Sequence, residues 1–260
     1  MLPITLTTDL GQRDFYLAAL KGRMISLLPD VRLVDVTHDI PPFDVQAAAV
    51  ALRNAYRYFP EGTVHLIGVD SVFREGGRHA IMKFGGHFFV GGDNGIFSII
   101  LGENEAQELF EINIPQDPDY LHFPLADTLA KAACHIAKGG VPSEIGRPMD
   151  EPLRRMMVQP LSDADSIKGH IAHIDSFGNA ISDISRELFE KVQNERPFRL
   201  HFKHNETIDQ LSRSYSEVPE GERLCLFGIS NFLEIAINKG HAARLLGLQR
   251  DEIVIVEFFD

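Results

Sequence analysis

With only two cysteines in 260 residues, Cys134 and Cys225, the chain has too few, set too far apart, for a disulfide framework. Cys134 falls in a helical apolar pattern, which suits a buried thiol and argues against a redox role. No apolar run approaches the roughly 18 residues a bilayer span requires, and no basic segment leads into an apolar one at the N-terminus. The expected location is the cytoplasm, with no membrane partner. Positive charge is also scarce: 25 Lys and Arg stand against 37 Asp and Glu, for a net charge of −12 with the charges scattered. Without a basic patch to neutralise phosphates, nucleic acid is not an expected partner, and a cationic or neutral ligand suits the field better.

Several catalytic signatures are missing as well. There is no GxGxxG after a strand, and GxxxxGK[ST], GxSxG, HExxH and CxxC are absent, so nucleotide-phosphate, serine-hydrolase and zinc chemistries lack their devices. Eleven histidines invite a metal reading. However, His170 and His173 are three apart on an expected strand and so face opposite sides, and His79 and His87 sit across an expected hairpin with no nearby carboxylate pair. No metal site and no cofactor are expected.

What is present is enough apolar sequence, 44%, to bury one large core or two smaller ones. Leu2 to Leu6 reads as a buried strand and Asp14 to Leu28 as an amphipathic helix with Leu17, Leu20, Met24 and Leu28 on one stripe. A strand from Arg32 to Val36, a helix capped by Asp44 and running through Ala55, and a strand from Thr63 to Val69 complete a β-α-β-α-β order, which implies a parallel sheet with right-handed crossovers. Ala80 to Phe84 and Phe88 to Gly91 flank Gly85-Gly86 as a hairpin, and Asp127 to Lys138 reads as a further helix.

Between Val141 and Ser166 the pattern is broken by Pro142, Pro148, Pro152 and Pro160. The expected organisation is an N-terminal α/β domain over 1–150, a linker over 151–165 and a β-rich domain over 166–260. Strand candidates follow at Ile167 to Ile174, Ala180 to Ile184, Phe198 to Phe202, Leu224 to Phe227, Leu233 to Ile237 and Ile253 to Phe258. The expected fold is therefore α/β: an N-terminal parallel or mixed sheet with flanking helices, followed by a smaller, mostly antiparallel barrel or sandwich.

Three acidic loops stand out at the ends of apolar runs. In the first, Asp175-Ser176-Phe177-Gly178-Asn179 sets a carboxylate, a flat ring, a glycine and an amide side by side; the segment reads either as part of a small-molecule pocket or as a hairpin turn. Thr7-Thr8-Asp9-Leu10-Gly11 closes the first strand, with Asp9 either facing a ligand or capping the next helix. Gly92-Asp93-Asn94-Gly95 follows His87 to Gly91, with Asp93 and Asn94 either at a ligand or in a tight hairpin turn.

In this order the three loops resemble the S-adenosylmethionine hydroxide adenosyltransferases, relatives of the fluorinating and chlorinating enzymes that use the same substrate. The resemblance covers nearly the whole chain. It includes Val36-Thr37-His38-Asp39-Ile40-Pro41, Tyr58 to His65, Val69-Asp70 and Leu233-Glu234-Ile235-Ala236 before Gly240. It implies a trimer in which S-adenosylmethionine, a substrate and not a cofactor, lies between the N-terminal domain of one subunit and the C-terminal domain of the next. Water attacks the ribose C5′, and adenosine and methionine leave. By the same resemblance Asp9 accepts from the ribose hydroxyls, Asp175 pairs with the methionine ammonium, and Asn179 reads adenine beside Phe177. Asp93, Asn94, Ser230 and Glu234 are the further substrate-binding positions it implies.

An Asp, an Arg and a His around the attacking water are the catalytic set the family implies, and Asp70 takes the first position. The relatives continue with a Pro-Gly-Val-Gly stretch, whereas this chain reads Ser71 to Arg78. Arg78 matches with a one-residue insertion and Arg74 is the alternative. His122 matches the family His with a two-residue insertion; the other reading is a loop histidine beside a helix start. Asp183 replaces the Asn of the family's Thr-Asn-Ile segment. Two other activities stay open: non-catalytic binding of S-adenosylmethionine or adenosine, and halide transfer.

Overall fold

The computed structural model describes residues 2–72, 77–155, 159–203 and 206–259. The chain forms two compact units, Met1–Met157 and Val158–Asp260.

The first unit is built on a seven-stranded mixed sheet. In chain order its elements are β1 (Ile4–Thr8), α1 (Tyr16–Leu27), β2 (Leu33–Thr37), α2 (Val45–Ala55), β3 (Val64–Gly68), β4 (His79–Phe84), β5 (His87–Gly92), α3 (Ile96–Leu101), β6 (Glu108–Ile112), α4 (Thr128–Ala137) and β7 (Gly146–Pro148). The strand order is β2-β1-β3-β5-β4-β6-β7. The first four strands in that order run parallel and the rest antiparallel. β1 and β3 are buried along their whole length because both faces are covered, their polar Thr5, Thr7, Thr8 and His65 included. Ile4, Leu6, Val64 and Leu66 pack with Leu20 and Met24 of α1 and Leu129 and Ala133 of α4. Ile67, Val69 and Phe89 pack instead with Ala48 and Leu52 of α2 and with Phe97 of α3. The result is a helix-sheet-helix sandwich with a core on each face.

The chain leaves β1 toward β2 on one side and returns across it to β3 on the other. The crevice beyond the carboxyl ends of β1 and β3 is therefore the switch point where open α/β sheets hold ligands. Asp44 caps α2 as expected, accepting from the Ala47 N–H at 2.9 Å, and Gly85-Gly86 joins β4 to β5 as a hairpin. The hairpin register pairs His79 with Gly92 and His87 with Phe84, so these histidines lie at opposite ends of the ribbon and not across from one another. Asp93-Asn94-Gly95 is no hairpin turn; it leads from β5 into α3 through Gly95 at φ 99°. α3, β6 and β7 lie in stretches to which the sequence pattern assigned no element.

The second unit contains β8 (Leu161–Ser162), β9 (Ser166–Ile174), β10 (Ala180–Ser185), α5 (Arg186–Gln193), β11 (Phe198–Phe202), β12 (Glu206–Ile208), β13 (Arg223–Phe227), β14 (Phe232–Ile237), α6 (Ala242–Leu245) and β15 (Ile253–Phe258). The path β12-β11-β15-β9-β10-β14-β13 is antiparallel, with β8 on β9, and its two end strands approach each other. Between barrel and sandwich, this is a nearly closed barrel-like sheet. α5 is a further unanticipated element. Ser185 caps it by accepting from the Leu188 N–H at 3.2 Å, and its Phe189 plugs the core edge-on to Phe198, Phe227 and Phe258 at 5.1–5.4 Å.

Candidate functional site

Three adjacent parallel strands end in an aspartate: Asp9 after β1, Asp70 after β3 and Asp93 after β5. Asp9 is half-buried, and its Oδ2 accepts from the Phe43 N–H at 2.9 Å. It thereby ties the loop after β1 to the loop before α2 and does not cap α1, whose N-terminus has no side-chain cap. Thr8 beside it meets His38 Nδ1 at 2.8 Å, and His38 Nε2 reaches Asp35 at 3.1 Å, joining the ends of β1 and β2. Burial raises the Asp35 pKa, but bonds from Lys21 and His38 outweigh it and hold the carboxyl below its usual range.

Asp70 is half-buried and sits at φ 45°, a left-handed conformation that costs free energy in a residue with a Cβ and gathers at functional sites. Asn94 supports it from the next strand, its Nδ2 donating to the Val69 and Asp70 carbonyls at 3.0 and 3.1 Å while its Oδ1 accepts from the Ile96 N–H at 3.2 Å. Asp93 is committed within the chain as well: Arg78 Nε donates to its Oδ2 at 2.7 Å and the Leu153 N–H to its Oδ1 at 2.8 Å. A third contact fixes Arg78, whose Nη2 donates to the Glu151 carbonyl at 3.1 Å. The other arginine candidate, Arg74, lies outside the described residues.

His122 is exposed, on a loop that precedes α4. That loop is closed at its base by Asp127, which is fully buried. Asp127 accepts from the Asp117 N–H at 3.0 Å and pairs with Lys131 at 2.5 Å and Arg23 at 3.8 Å. Sequence periodicity gave Asp127 the place of a helix start; its role as the loop's anchor rests on the Asp117 N–H ten residues earlier, which no helix signal marks.

In the second unit Asp175-Ser176-Phe177-Gly178-Asn179 is the connection between β9 and β10, a hairpin turn built by its own carboxylate. Asp175 Oδ1 accepts from the Phe177 and Asn179 N–H groups at 2.9 and 2.8 Å, and Oδ2 from Asn179 Nδ2 at 3.0 Å. The turn leaves Phe177 80% exposed and Asn179 buried. Gly178 is required twice over: it sits at φ 85°, and a Cβ there would lie 2.0 Å from His241 Nδ1.

Glu234 on β14 is 4% exposed and accepts from the Tyr215 hydroxyl at 2.7 Å. Burial pushes the Glu234 carboxyl up, the Tyr215 bond holds it back, and the negative charge of Asp175 adds to the rise. Burial and the adjoining Glu234 push the Tyr215 phenol up in turn. Ser230, half-buried in the turn before β14, has its hydroxyl against the Phe232 N–H at 3.4 Å. Tyr215 escaped the sequence reading, since nothing local links it to a strand nineteen residues on.

A groove of about 860 Å³ lined by Leu101, Glu105, Met149 and Arg155 includes none of these candidate residues. Among the described residues no group of three or more His, Cys, Asp or Glu could hold a metal ion, and no helix is long and apolar enough to cross a membrane.

Carboxylates at the ends of parallel strands in one domain and a carboxylate-amide hairpin in a second, barrel-like one define a two-domain class of small-molecule enzyme. Residues 4–146 match the SAM hydroxide adenosyltransferase N-terminal domain and residues 169–255 its C-terminal domain, and the chain belongs to this family. It is 31% identical to the (R)-S-adenosyl-L-methionine hydrolase of Thermus thermophilus, over 96% of this chain and 97% of that one. With the hydrolase of the same name from Methanocaldococcus jannaschii it shares 29% identity, over 97% and 95% of the two chains. Among solved structures, an uncharacterized conserved protein from Thermotoga maritima superposes with a TM-score of 0.88 at 26% identity, covering 97% of this chain and 99% of that one.

Proposed function

We propose that this protein is an S-adenosyl-L-methionine hydrolase, which converts S-adenosylmethionine and water to adenosine and methionine. The observation that carries the reading is the emergence of Asp9 and Asp70 from the adjacent strands β1 and β3, on either side of the switch point. The names of its relatives and the family of both domains support the same substrate.

The reaction is a displacement at carbon. A water oxygen bonds to the ribose C5′, the C5′–S bond breaks with its electron pair going to sulfur, and the sulfonium leaves as the neutral thioether of methionine. The leaving group needs no acid, so the protein's task is to fix a water in line with C5′–S and to take its proton. In this reading Asp70 does so, with Arg78 and His122 around the same water. Asp9 holds the ribose hydroxyls through the carboxylate oxygen that Phe43 leaves open. Asp175, Ser230 and Glu234 serve the amino-acid end, and Phe177 and Asn179 the adenine. No metal, cofactor or phosphate-binding loop takes part, and the field of an acidic protein suits a cationic sulfonium.

Incubating the purified chain with S-adenosylmethionine in the presence of a chelator and without halide is expected to release adenosine and methionine in equal amounts. Calorimetric binding with no adenosine formed over long incubation would leave a binding protein instead. We further propose a cytoplasmic homotrimer, each pocket assembled from the Asp9 and Asp70 side of one subunit and the Asp175 to Asn179 side of the next. Co-refolding an Asp9→Ala chain with an Asp175→Ala chain, each inactive when refolded alone, is expected to restore activity, because some interfaces then combine two undamaged halves. Verified mixed oligomers without activity would place each pocket within a single chain.

A further inference from the structure

Two of the residues at the carboxyl end of β5 have their polar atoms turned inward. The Asp93 side chain is 1% exposed beneath an Arg78 side chain that is 38% exposed, so a buried anion lies under a half-exposed cation. Both Asp93 oxygens carry short bonds, to Arg78 Nε at 2.7 Å and the Leu153 N–H at 2.8 Å, and its own N–H donates to the Arg78 carbonyl at 2.9 Å. Backbone and side chain thus fix Arg78 together. For a ribose hydroxyl to reach Asp93, it would have to displace a charge-assisted bond from a carboxylate already out of water. Next door, Asn94 spends its amide on the carbonyls of Val69 and Asp70 and on the N–H that opens α3. The two carbonyls it grips bracket the left-handed backbone of Asp70, which needs an external hold to persist.

We propose that the Asp93-Asn94 turn binds no substrate and is instead the positioning element of the water site, Asp93 orienting the Arg78 guanidinium and Asn94 the backbone of Asp70. This rests on the hydrolase reading and on Arg78 and Asp70 serving the reaction. One turn then sets two reacting groups that arrive from different strands, and an error in either is felt as misalignment and not as lost affinity. Arg78 Nε and one Nη2 hydrogen are committed to this frame, and its other N–H groups meet no acceptor among the described residues, which leaves them for the reacting centre.

The test is steady-state kinetics on Asp93→Asn, Asp93→Glu, Asn94→Ala and Arg78→Ala, with added guanidinium at concentrations far below denaturing. Asp93→Asn and Asn94→Ala are each expected to lower kcat by about 10- to 100-fold with KM within about threefold of the parent, as misplacement of reacting groups does. Asp93→Glu keeps the charge but shifts it by a methylene, and is expected to lose kcat too; it serves as the second probe where the Asn variant folds poorly. Guanidinium is expected to restore part of the turnover of Arg78→Ala, and none of it once Asp93→Asn is added to the same chain. A raised KM at unchanged kcat in Asp93→Asn would return Asp93 to the substrate and overturn the proposal. So would rescue by guanidinium that is indifferent to residue 93. A slow Arg78→Ala beside a fully active Asp93→Asn overturns the positioning role alone. An Arg78→Ala chain with parental turnover overturns the assignment of Arg78 with it, and a parent chain without turnover removes the hydrolase reading itself.

Discussion

At the carboxyl ends of β1 and β3 the chain carries Asp9 and Asp70 half-buried, one oxygen of Asp9 still without a partner among the described residues. Near the amino ends of the same two strands, Thr5 and His65 meet in the interior: Thr5 Oγ1 lies 2.7 Å from His65 Nδ1, and His65 Nε2 lies 3.3 Å from His87 Nδ1. All three of these residues are buried, and the His65 ring stacks on Phe89 at 4.9 Å between centroids, with Tyr56 edge-on. At one end Asp9 and Asp70 are half-buried and Asp9 keeps an oxygen free of partners among the described residues, while the polar side chains at the other end are enclosed and satisfied by one another. Position relative to the strand ends, and not polarity, is what separates chemistry from packing in this sheet.

The sharpest way to break that contrast is Asp70→Asn. If Asp70 takes a proton from water, the amide is expected to cut kcat by about 10²–10⁴-fold, leave KM nearly unchanged and leave the melting temperature close to that of the parent. A variant that turns over at the parental rate would show that the carboxyl end of β3 holds no base. Asp9→Ala comes next in size. It removes the tether to Phe43 and, if Asp9 holds the ribose, an acceptor for two hydroxyls, so KM is expected to rise by about 10- to 100-fold with a smaller change in kcat. An unaltered KM would move the nucleoside elsewhere.

The same contrast explains what could be read from the sequence. β1 and β3 were legible because a strand covered on both faces is rich in apolar and β-branched residues, and the aspartates were legible because they come at the ends of such runs. α3 was not, since five of its six residues are buried and no polar stripe remains to mark a helix. α5 was missed for the opposite reason: a single fully buried residue, Phe189, sits among charges. The partnerships within the site were invisible. Asp93 takes its bonds from residues fifteen and sixty positions away, and the Asp175 carboxylate, which the family implies for a ligand, folds its own hairpin. Residue type and strand end together mark a candidate; only the fold decides whether its bonds are already taken.

The smallest effect expected is on stability and belongs to the enclosed end. Burial, reinforced by the neighbouring His87, pushes the His65 pKa down from 6.5 to about 3. Protons on both rings would also set two N–H groups against each other across the 3.3 Å contact, so burial and this contact together favour the neutral imidazoles in the folded chain. Between pH 6.5 and 3 the unfolded chain therefore binds a proton at His65 that the folded chain refuses. The stability this residue supports is fully present above about pH 6.5 and is lost as the pH falls toward 3. In His65→Gln an amide replaces the titrating ring while keeping a donor and an acceptor. The variant is expected to be somewhat less stable than the parent at pH 7.5, because the stack on Phe89 is lost, and to lose less of its urea midpoint between pH 7 and pH 4.5. Its kcat at neutral pH should match the parent's, the ring lying far down the strand from Asp70. Parallel acid-unfolding curves for the two chains would show that His65 titrates freely and that the amino end is not sealed; a collapse of kcat at full stability would show that the two ends are not separate.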